Sequence, residues 1–120
     1  MQKPISPSMH GALDYSTIAA TAAAPRLLGF PERATKAAYA LAGGYLALSA
    51  LTDYPPALKR AVPLKAHGAA DVVLGLAIPA LPWVLGFAKN RPARNFFLGL
   101  TAVTMVVTAL TDWSPGRSAA

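Results

Sequence analysis

Four long apolar stretches alternate with short polar segments along this chain. They lie at about residues 11–28, 35–52, 68–86 and 95–111. Each is close to the roughly 20 residues that a helix needs to cross the hydrocarbon core of a bilayer. The last stretch, which reads NFFLGLTAVTMVVTAL, is the clearest, whereas the first is rich in alanine and contains Asp14 and Pro25. The pattern therefore predicts an all-α fold, an integral membrane bundle of four helices.

The two halves of the chain repeat one another. A shift of 57 positions aligns residues 10–30, HGALDYSTIAATAAAPRLLGF, with residues 67–87, HGAADVVLGLAIPALPWVLGF, and 10 of the 21 aligned positions are identical. At a shift of 59, ALTDY at 50–54 aligns with ALTDW at 109–113. An internal repeat of this kind indicates that one structural unit occurs twice. We therefore expect two tandem helical hairpins.

The repeat divides the chain into segments of a single membrane domain that spans residues 1–120. The first unit covers about residues 9–54 and the second about residues 66–113. Between them, residues 55–65 contain prolines and three basic residues, which predicts an interfacial linker rather than a fifth span. Residues 114–120 form a short C-terminal tail.

The number of helices in each unit determines which ends meet. Because two helices per unit is an even number, the second unit enters the membrane from the same side as the first. We therefore expect a pseudo-twofold axis along the membrane normal. The His-Gly segments that open the first helix of each unit, and the Thr-Asp segments that close the second, then lie at one membrane face.

Composition supports a membrane protein. Charged residues make up 13% of the chain and hydrophobic residues 54%, and the mean hydropathy is +0.40. A soluble domain carries about 25% charged residues. The chain contains no cysteine, which excludes disulfides, thiolate metal sites and a cysteine nucleophile. We expect a multi-pass protein of the bacterial inner membrane, with the lipid bilayer as its partner. A homo-oligomer is a further expectation.

Positive charge lies in clusters between the apolar stretches. The net charge is +6, and this clustering favours anionic lipid headgroups over nucleic acid as the partner. The hairpin loops carry six basic residues and the opposite face carries five. This small difference favours hairpin loops in the cytoplasm and both termini outside.

The second unit also carries a family resemblance. DVVLGLAIPALPWVLGF followed by ARNFFLGL resembles the SPW-repeat membrane proteins, whose unit closes an apolar helix on Ser-Pro-Trp and continues through a loop into a second helix. The corresponding residues are Leu81-Pro82-Trp83 in the second unit and Ala24-Pro25-Arg26 in the first, so serine is absent twice and tryptophan once. The resemblance implies a small multi-pass bacterial membrane protein with no assigned chemistry.

The repeat places a polar cluster at one end of the bundle. Histidine and aspartate are four residues apart in both units, so each pair projects from one helical face. In the structural interpretation, Asp14 and Asp71 lie in first turns and satisfy free N–H groups. Asp53 and Asp112 then cap turns, and Tyr54 and Trp113 belong to an aromatic belt at the headgroups.

In the functional interpretation, the same side chains form a metal site. Imidazole and carboxylate ligands suit Zn²⁺, Mn²⁺ or Fe²⁺. An alternative is that each aspartate orients its histidine and does not bind the metal. The candidate ligands are two histidines and four aspartates: His10, Asp14, Asp53, His67, Asp71 and Asp112.

Three functions therefore remain open from the sequence. The protein is a structural or accessory membrane component, or it binds or transports a divalent cation through the His/Asp residues, or it binds haem or relays protons through the same histidines. We predict no catalytic residues, since the serines lie outside any nucleophile-elbow pattern and there is no glycine-rich phosphate loop.

Overall fold

The computed structural model describes residues 3–53 and 58–113, and it is all-α. Residue Tyr54, the first part of the predicted linker and the predicted tail at 114–120 lie outside the described residues. The helices are α1 (Pro7–Leu28), α2 (Glu32–Leu51), α3 (Leu64–Ala77), α4 (Leu81–Val84) and α5 (Arg91–Leu110), with a 3₁₀ turn at Ile78–Ala80 that joins α3 to α4.

The helices begin about one turn before the apolar stretches that predict them. Ser6 caps α1 through its side chain, which accepts a hydrogen bond from the Met9 amide, and Pro7 occupies the first helical position. Asn90 caps α5 in the same way. Helix α3 begins at Leu64, so the last two residues of the predicted linker are helical. Hydropathy locates the apolar middle of a helix, whereas capping residues determine where it begins.

Both hairpins turn at a glycine in the left-handed conformation. Gly29 has φ 65° and Gly86 has φ 78°, a region that residues with a Cβ adopt only at a cost. In each case the following phenylalanine amide donates to the carbonyl of a proline five residues earlier, at 3.0 Å for Phe30 and 2.8 Å for Phe87. The duplicated Pro-x-x-Leu-Gly-Phe motif thus encodes the same helix ending in both units.

The two units close on each other through matched backbone contacts. The chain before α1 pairs with the end of α5, because the amide of Ile5 donates to Leu110 O and the amide of Asp112 donates to Ile5 O. The chain before α3 pairs with the end of α2 in the same way, through Val62 and Asp53. These bonds satisfy carbonyl groups that a helix end leaves open. Each unit is therefore held at its start by the end of the other.

The buried hydrophobic side chains are small in the first unit and mostly larger in the second. Ala34, Ala38 and Ala42 form a buried row along α2. Phe97 and Ile78 are fully buried on the other side of the core. Alanines four residues apart share a helix face and allow close approach of a neighbouring helix.

Two segments are long and apolar enough to cross a membrane, Leu64–Val84 and Arg91–Leu110. They belong to the second unit, and only 33% and 22% of their most apolar windows are buried. The alanine-rich α1 and α2 do not reach the same apolarity among the described residues. By length and composition, the structure therefore supports two of the four predicted spans.

Candidate metal centre

Four of the six predicted ligands, two from α1 and two from α3, meet at one place in the bundle. His10, Asp14, His67 and Asp71 each offer a ligand atom, and these atoms all lie within 4.8 Å of one another. The i, i+4 spacing brings the histidine and aspartate of each helix onto one face, and the two faces meet. We call these four side chains the His/Asp cluster.

The His/Asp cluster alternates imidazole and carboxylate groups. His10 Nε2 lies 3.3 Å from Asp14 Oδ2 and 3.2 Å from Asp71 Oδ2. His67 Nε2 lies 3.0 Å and 3.3 Å from the same two oxygens. Every contact within a unit therefore has a counterpart between the units. Neighbouring ligands of a tetrahedral site lie about 3.3 Å apart when the metal–ligand distances are about 2.0 Å. The four His–Asp distances are close to this value, and all four ligand atoms lie within 4.8 Å of one another, which leaves room for a small cation between them.

Two threonine hydroxyl groups contact the histidine rings at Nδ1, the ring nitrogen that does not face the carboxylates. His10 Nδ1 lies 2.8 Å from Thr111 Oγ1, and His67 Nδ1 lies 2.7 Å from Thr52 Oγ1. Each histidine thus contacts the threonine of the other unit. The threonines sit at the C-caps of α2 and α5, and this contact positions each imidazole ring.

The same threonines determine which histidine nitrogen carries hydrogen. Each hydroxyl donates to the carbonyl four residues earlier, Leu48 O or Val107 O, at 2.6 Å. A hydroxyl has one hydrogen to donate, so its contact with histidine requires Nδ1–H as the donor. The lone pair of a neutral imidazole then lies on Nε2, which faces the carboxylates. A second hydrogen bond that fixes tautomer and orientation is typical of metal-binding histidines.

The buried negative charge of the His/Asp cluster must be neutralised. His10, His67 and Asp71 are 2% exposed or less, and Asp14 is 14% exposed. Two carboxylates beside two neutral imidazoles carry a charge of −2, which is costly to bury. Either one divalent ion or two additional protons on Nε2 brings the net charge to zero. The chemistry of the cluster therefore has two alternatives, a metal site and a protonated ion-pair network.

Asp53 and Asp112 lie outside the His/Asp cluster. Asp53 is 57% exposed and pairs with Arg60 at 3.6 Å. Asp112 is buried, and its amide bonds to Ile5 O. Because α2 and α5 end at Leu51 and Leu110, the residues at the helix ends that reach the histidines are the threonines, not the aspartates that follow them.

The predicted capping role of the other two aspartates is wrong. Asp14 and Asp71 lie at the eighth position of α1 and α3, and the first turn of either helix contains no acidic residue. Their carboxylates are therefore too far along the helices to satisfy the N-terminal amides, which are limited to the first turn. The helices begin earlier than the apolar pattern indicates, and the two aspartates point into the bundle instead.

Trp113 covers the histidines at the end of the bundle. Its ring centroid lies 4.8 Å from that of His10 and 6.4 Å from that of His67, and its Nε1 donates to Thr108 O at 3.1 Å. A Cβ at Gly68 would lie 3.2 Å from the indole ring, which explains why glycine follows this histidine. The sequence assigns Trp113 to an aromatic belt, whereas the structure packs it against the His/Asp cluster.

A haem fits this arrangement less well than a small ion. The two imidazole rings are 5.3 Å apart, edge to face, and both Nε2 atoms face the aspartate oxygens. Axial haem ligands must stand on opposite sides of a macrocycle, and the carboxylates occupy that space. The His/Asp cluster can hold a metal ion through four protein ligands.

Comparison with known proteins does not identify a relative of this chain. The chain matches no protein-family model, no curated protein and no solved structure, so the resemblance to SPW-repeat proteins receives no support from these comparisons.

Proposed function

We propose that this protein is a four-span membrane protein that binds one divalent transition-metal ion, Zn²⁺, Mn²⁺ or Fe²⁺, between its two helical hairpins. The observation that carries the proposal is the convergence of two Nε2 atoms and two carboxylate oxygens, with both Nδ1–H groups held by threonines. Each ligand of one unit faces a ligand of the other, so a bound ion would join the two hairpins.

Metal binding is tested on protein purified in detergent without chelator. The apoprotein is titrated with Zn²⁺ against a chromophoric chelator, and the expected result is one tightly bound ion per chain. The His10→Ala, His67→Ala double variant should lose this binding. Asp53→Asn is the matched control, because it removes a predicted ligand outside the His/Asp cluster and should bind Zn²⁺ as the wild type does.

The alternative function is a structural or accessory one. The imidazole nitrogens already lie within ion-pair distance of the carboxylates, which favours a protonated network that fastens the two units without metal. A folded wild type that binds no Zn²⁺, Mn²⁺ or Fe²⁺ would support this alternative. A Soret band in the visible spectrum of the purified protein would instead support haem.

Four spans are supported by the outward surface of the helices. Large apolar side chains face outward on both units, for example Leu27 at 79% exposed, Leu46 at 48%, Val73 at 63% and Val106 at 57%. The buried His/Asp cluster lies inside this apolar shell. A water-soluble bundle has the opposite distribution, because burial of apolar surface drives its folding. We place the protein in a bacterial inner membrane with its hairpin loops in the cytoplasm.

The absence of cysteine makes this topology directly testable. Single-cysteine variants Glu32→Cys and Lys89→Cys probe the two hairpin loops, and Lys3→Cys and Lys59→Cys probe the opposite end. A maleimide that cannot cross membranes should label the first pair from one side of the membrane and the second pair from the other. If Glu32→Cys and Lys89→Cys react from opposite sides, the four-span arrangement is wrong.

A further inference from the structure

A small cavity lies beside the His/Asp cluster, between α1, α2 and α5. Its volume is about 30 Å³, which is enough for one or two water molecules. His10, Asp14 and Asp71 reach it at one end, so it touches three of the four proposed ligands. Thr17 and Tyr45 are also among the residues of its wall, which is otherwise mostly apolar.

Two buried oxygen atoms at this cavity lack a hydrogen-bond partner among the described residues. They are Asp71 Oδ1 and the hydroxyl oxygen of Tyr45. Asp71 is 2% exposed, and its Oδ2 is the atom that faces both histidines. A buried polar atom without a partner costs about 1–3 kcal/mol. Ordered water is the usual partner where a polar cavity has room for it.

We propose that this cavity is the solvent site of the metal centre, and that a water molecule held there by Tyr45 and Asp71 supplies a ligand beyond the four from the protein. The inference rests on the metal-binding function proposed above. Metal sites that are closed by four protein ligands are structural. Sites that retain a bound water molecule can exchange that ligand and take part in reactions. The cavity reaches the cluster beside Asp14, the most exposed of the four side chains.

The repeat itself supplies the variant that removes this space. Thr17 corresponds to Leu74 in the second unit, and Thr21 corresponds to Ile78. The second unit therefore carries apolar side chains where the first leaves room for water. Thr17→Leu introduces the residue of the second unit and should fill the cavity. Ser16→Val follows the same logic at an exposed position, since its counterpart is Val73, and it serves as the control.

The test uses the protein loaded with Co²⁺ in water enriched in ¹⁷O. A water bound directly to Co²⁺ broadens its low-temperature electron paramagnetic resonance signal. We expect broadening in the wild type and in Ser16→Val, and its loss in Thr17→Leu with one Co²⁺ still bound per chain. In Tyr45→Phe the visible absorption of Co²⁺ should shift, whereas Tyr39→Phe, an exposed tyrosine on the same helix, should leave it unchanged.

The possible results separate this inference from the proposed function. If the wild type binds none of Co²⁺, Zn²⁺, Mn²⁺ and Fe²⁺, the metal-binding function is wrong and the solvent site with it. If Co²⁺ binds but ¹⁷O causes no broadening, the centre is closed by protein ligands and the inference alone is overturned. If Thr17→Leu does not fold, Tyr45→Phe decides, since a Co²⁺ spectrum identical to that of the wild type excludes a water on that hydroxyl.

Discussion

The two repeat units agree at the His/Asp cluster and differ about one to two turns further along the first helix of each unit. The duplicated residues include the histidines, the aspartates and the C-capping threonines, and the hydrogen bonds at the histidine ring cross from one unit to the other. Further along α1 and α3, towards their C-terminal ends, the residues at corresponding positions of the two units differ. Thr17 and Thr21 in the first unit leave a cavity, whereas Leu74 and Ile78 stand at the same positions of the second.

This difference shows which positions the repeat constrains. A residue of the His/Asp cluster needs its counterpart in the other unit, because charge and hydrogen-bond geometry must match on both sides. A residue further along the helix needs only to fill the volume that its neighbours leave. Predictions that treat the units as a matched pair therefore test the comparison directly.

The largest effect is expected from the two aspartates in the metal-free protein. Asp71→Ala should lower the free energy of unfolding by about 3–5 kcal/mol, because it leaves two imidazole groups facing one carboxylate in a dry site. Asp14→Ala should cost less, since Asp14 is 14% exposed and Asp71 is 2% exposed. Unfolding in detergent followed by circular dichroism measures both. Equal losses for the two variants would contradict the asymmetry of the units, and exposed Asp53→Ala is the control.

The next prediction concerns the threonines and requires the units to behave alike. Thr52→Val and Thr111→Val each remove the acceptor that orients a histidine ring, and each should weaken Zn²⁺ binding by about 10- to 100-fold. Their contacts with histidine differ by only 0.1 Å, at 2.7 and 2.8 Å, so the two losses should be similar. Thr101→Val removes the same kind of backbone hydrogen bond far from any histidine and should leave affinity unchanged. Competition titration gives the three affinities, and a loss in only one unit would show that the site is not shared.

Metal affinity should also depend on pH, and the number of protons released on binding should show how many histidines bind the metal. Zn²⁺ and protons compete for Nε2, so affinity should fall as pH decreases from 8 to 5, by about tenfold per pH unit for each proton displaced. Calorimetry in two buffers of different ionisation enthalpy measures the number of protons released. His10→Ala and His67→Ala should each reduce that number by one. A wild type that binds Zn²⁺ at pH 5, where imidazole is ordinarily protonated, and releases no protons would contradict histidine ligation.

The sequence predicted the part of the site that obeys helical periodicity. Two His-x-x-x-Asp pairs and an even number of helices per unit were enough to expect the histidines and two aspartates at one end of the bundle. The sequence did not show that Asp53 and Asp112 lie outside the cluster. A shift of one position at the helix end determines whether the threonine or the following aspartate faces the histidines. Thr52 and Thr111 carried a signal, since ALTD occurs in both units, but the carboxylate was the more obvious ligand.

Hydropathy was least informative about where the helices begin and about which side chain packs over the histidines. The apolar pattern missed the first turn of α1 and placed Asp14 at a helix start, although Ser6 and Pro7 provide a cap and a first helical residue. Trp113 was assigned to a lipid interface because composition alone does not show that Gly68 leaves space for its ring. The Trp113 contact is tertiary and no local pattern encodes it, whereas Ser6 and Pro7 form a local signal that hydropathy does not register.

The smallest effect distinguishes tight from open packing at two glycines. A Cβ at Gly75 in α3 would collide with the side chain of Met105, whereas one at Gly44 in α2 meets nothing within 4 Å. Gly75→Ala should therefore destabilise the protein by about 1 kcal/mol, because Met105 must move out of its place. Gly44→Ala should stabilise it by about 0.5–1 kcal/mol, since alanine loses less conformational freedom in a helix. Unfolding of both variants under the same conditions measures the opposite signs. If both substitutions stabilise the protein, Met105 of α5 is not tightly packed against α3, and the contrast between a packed and an exposed glycine does not hold.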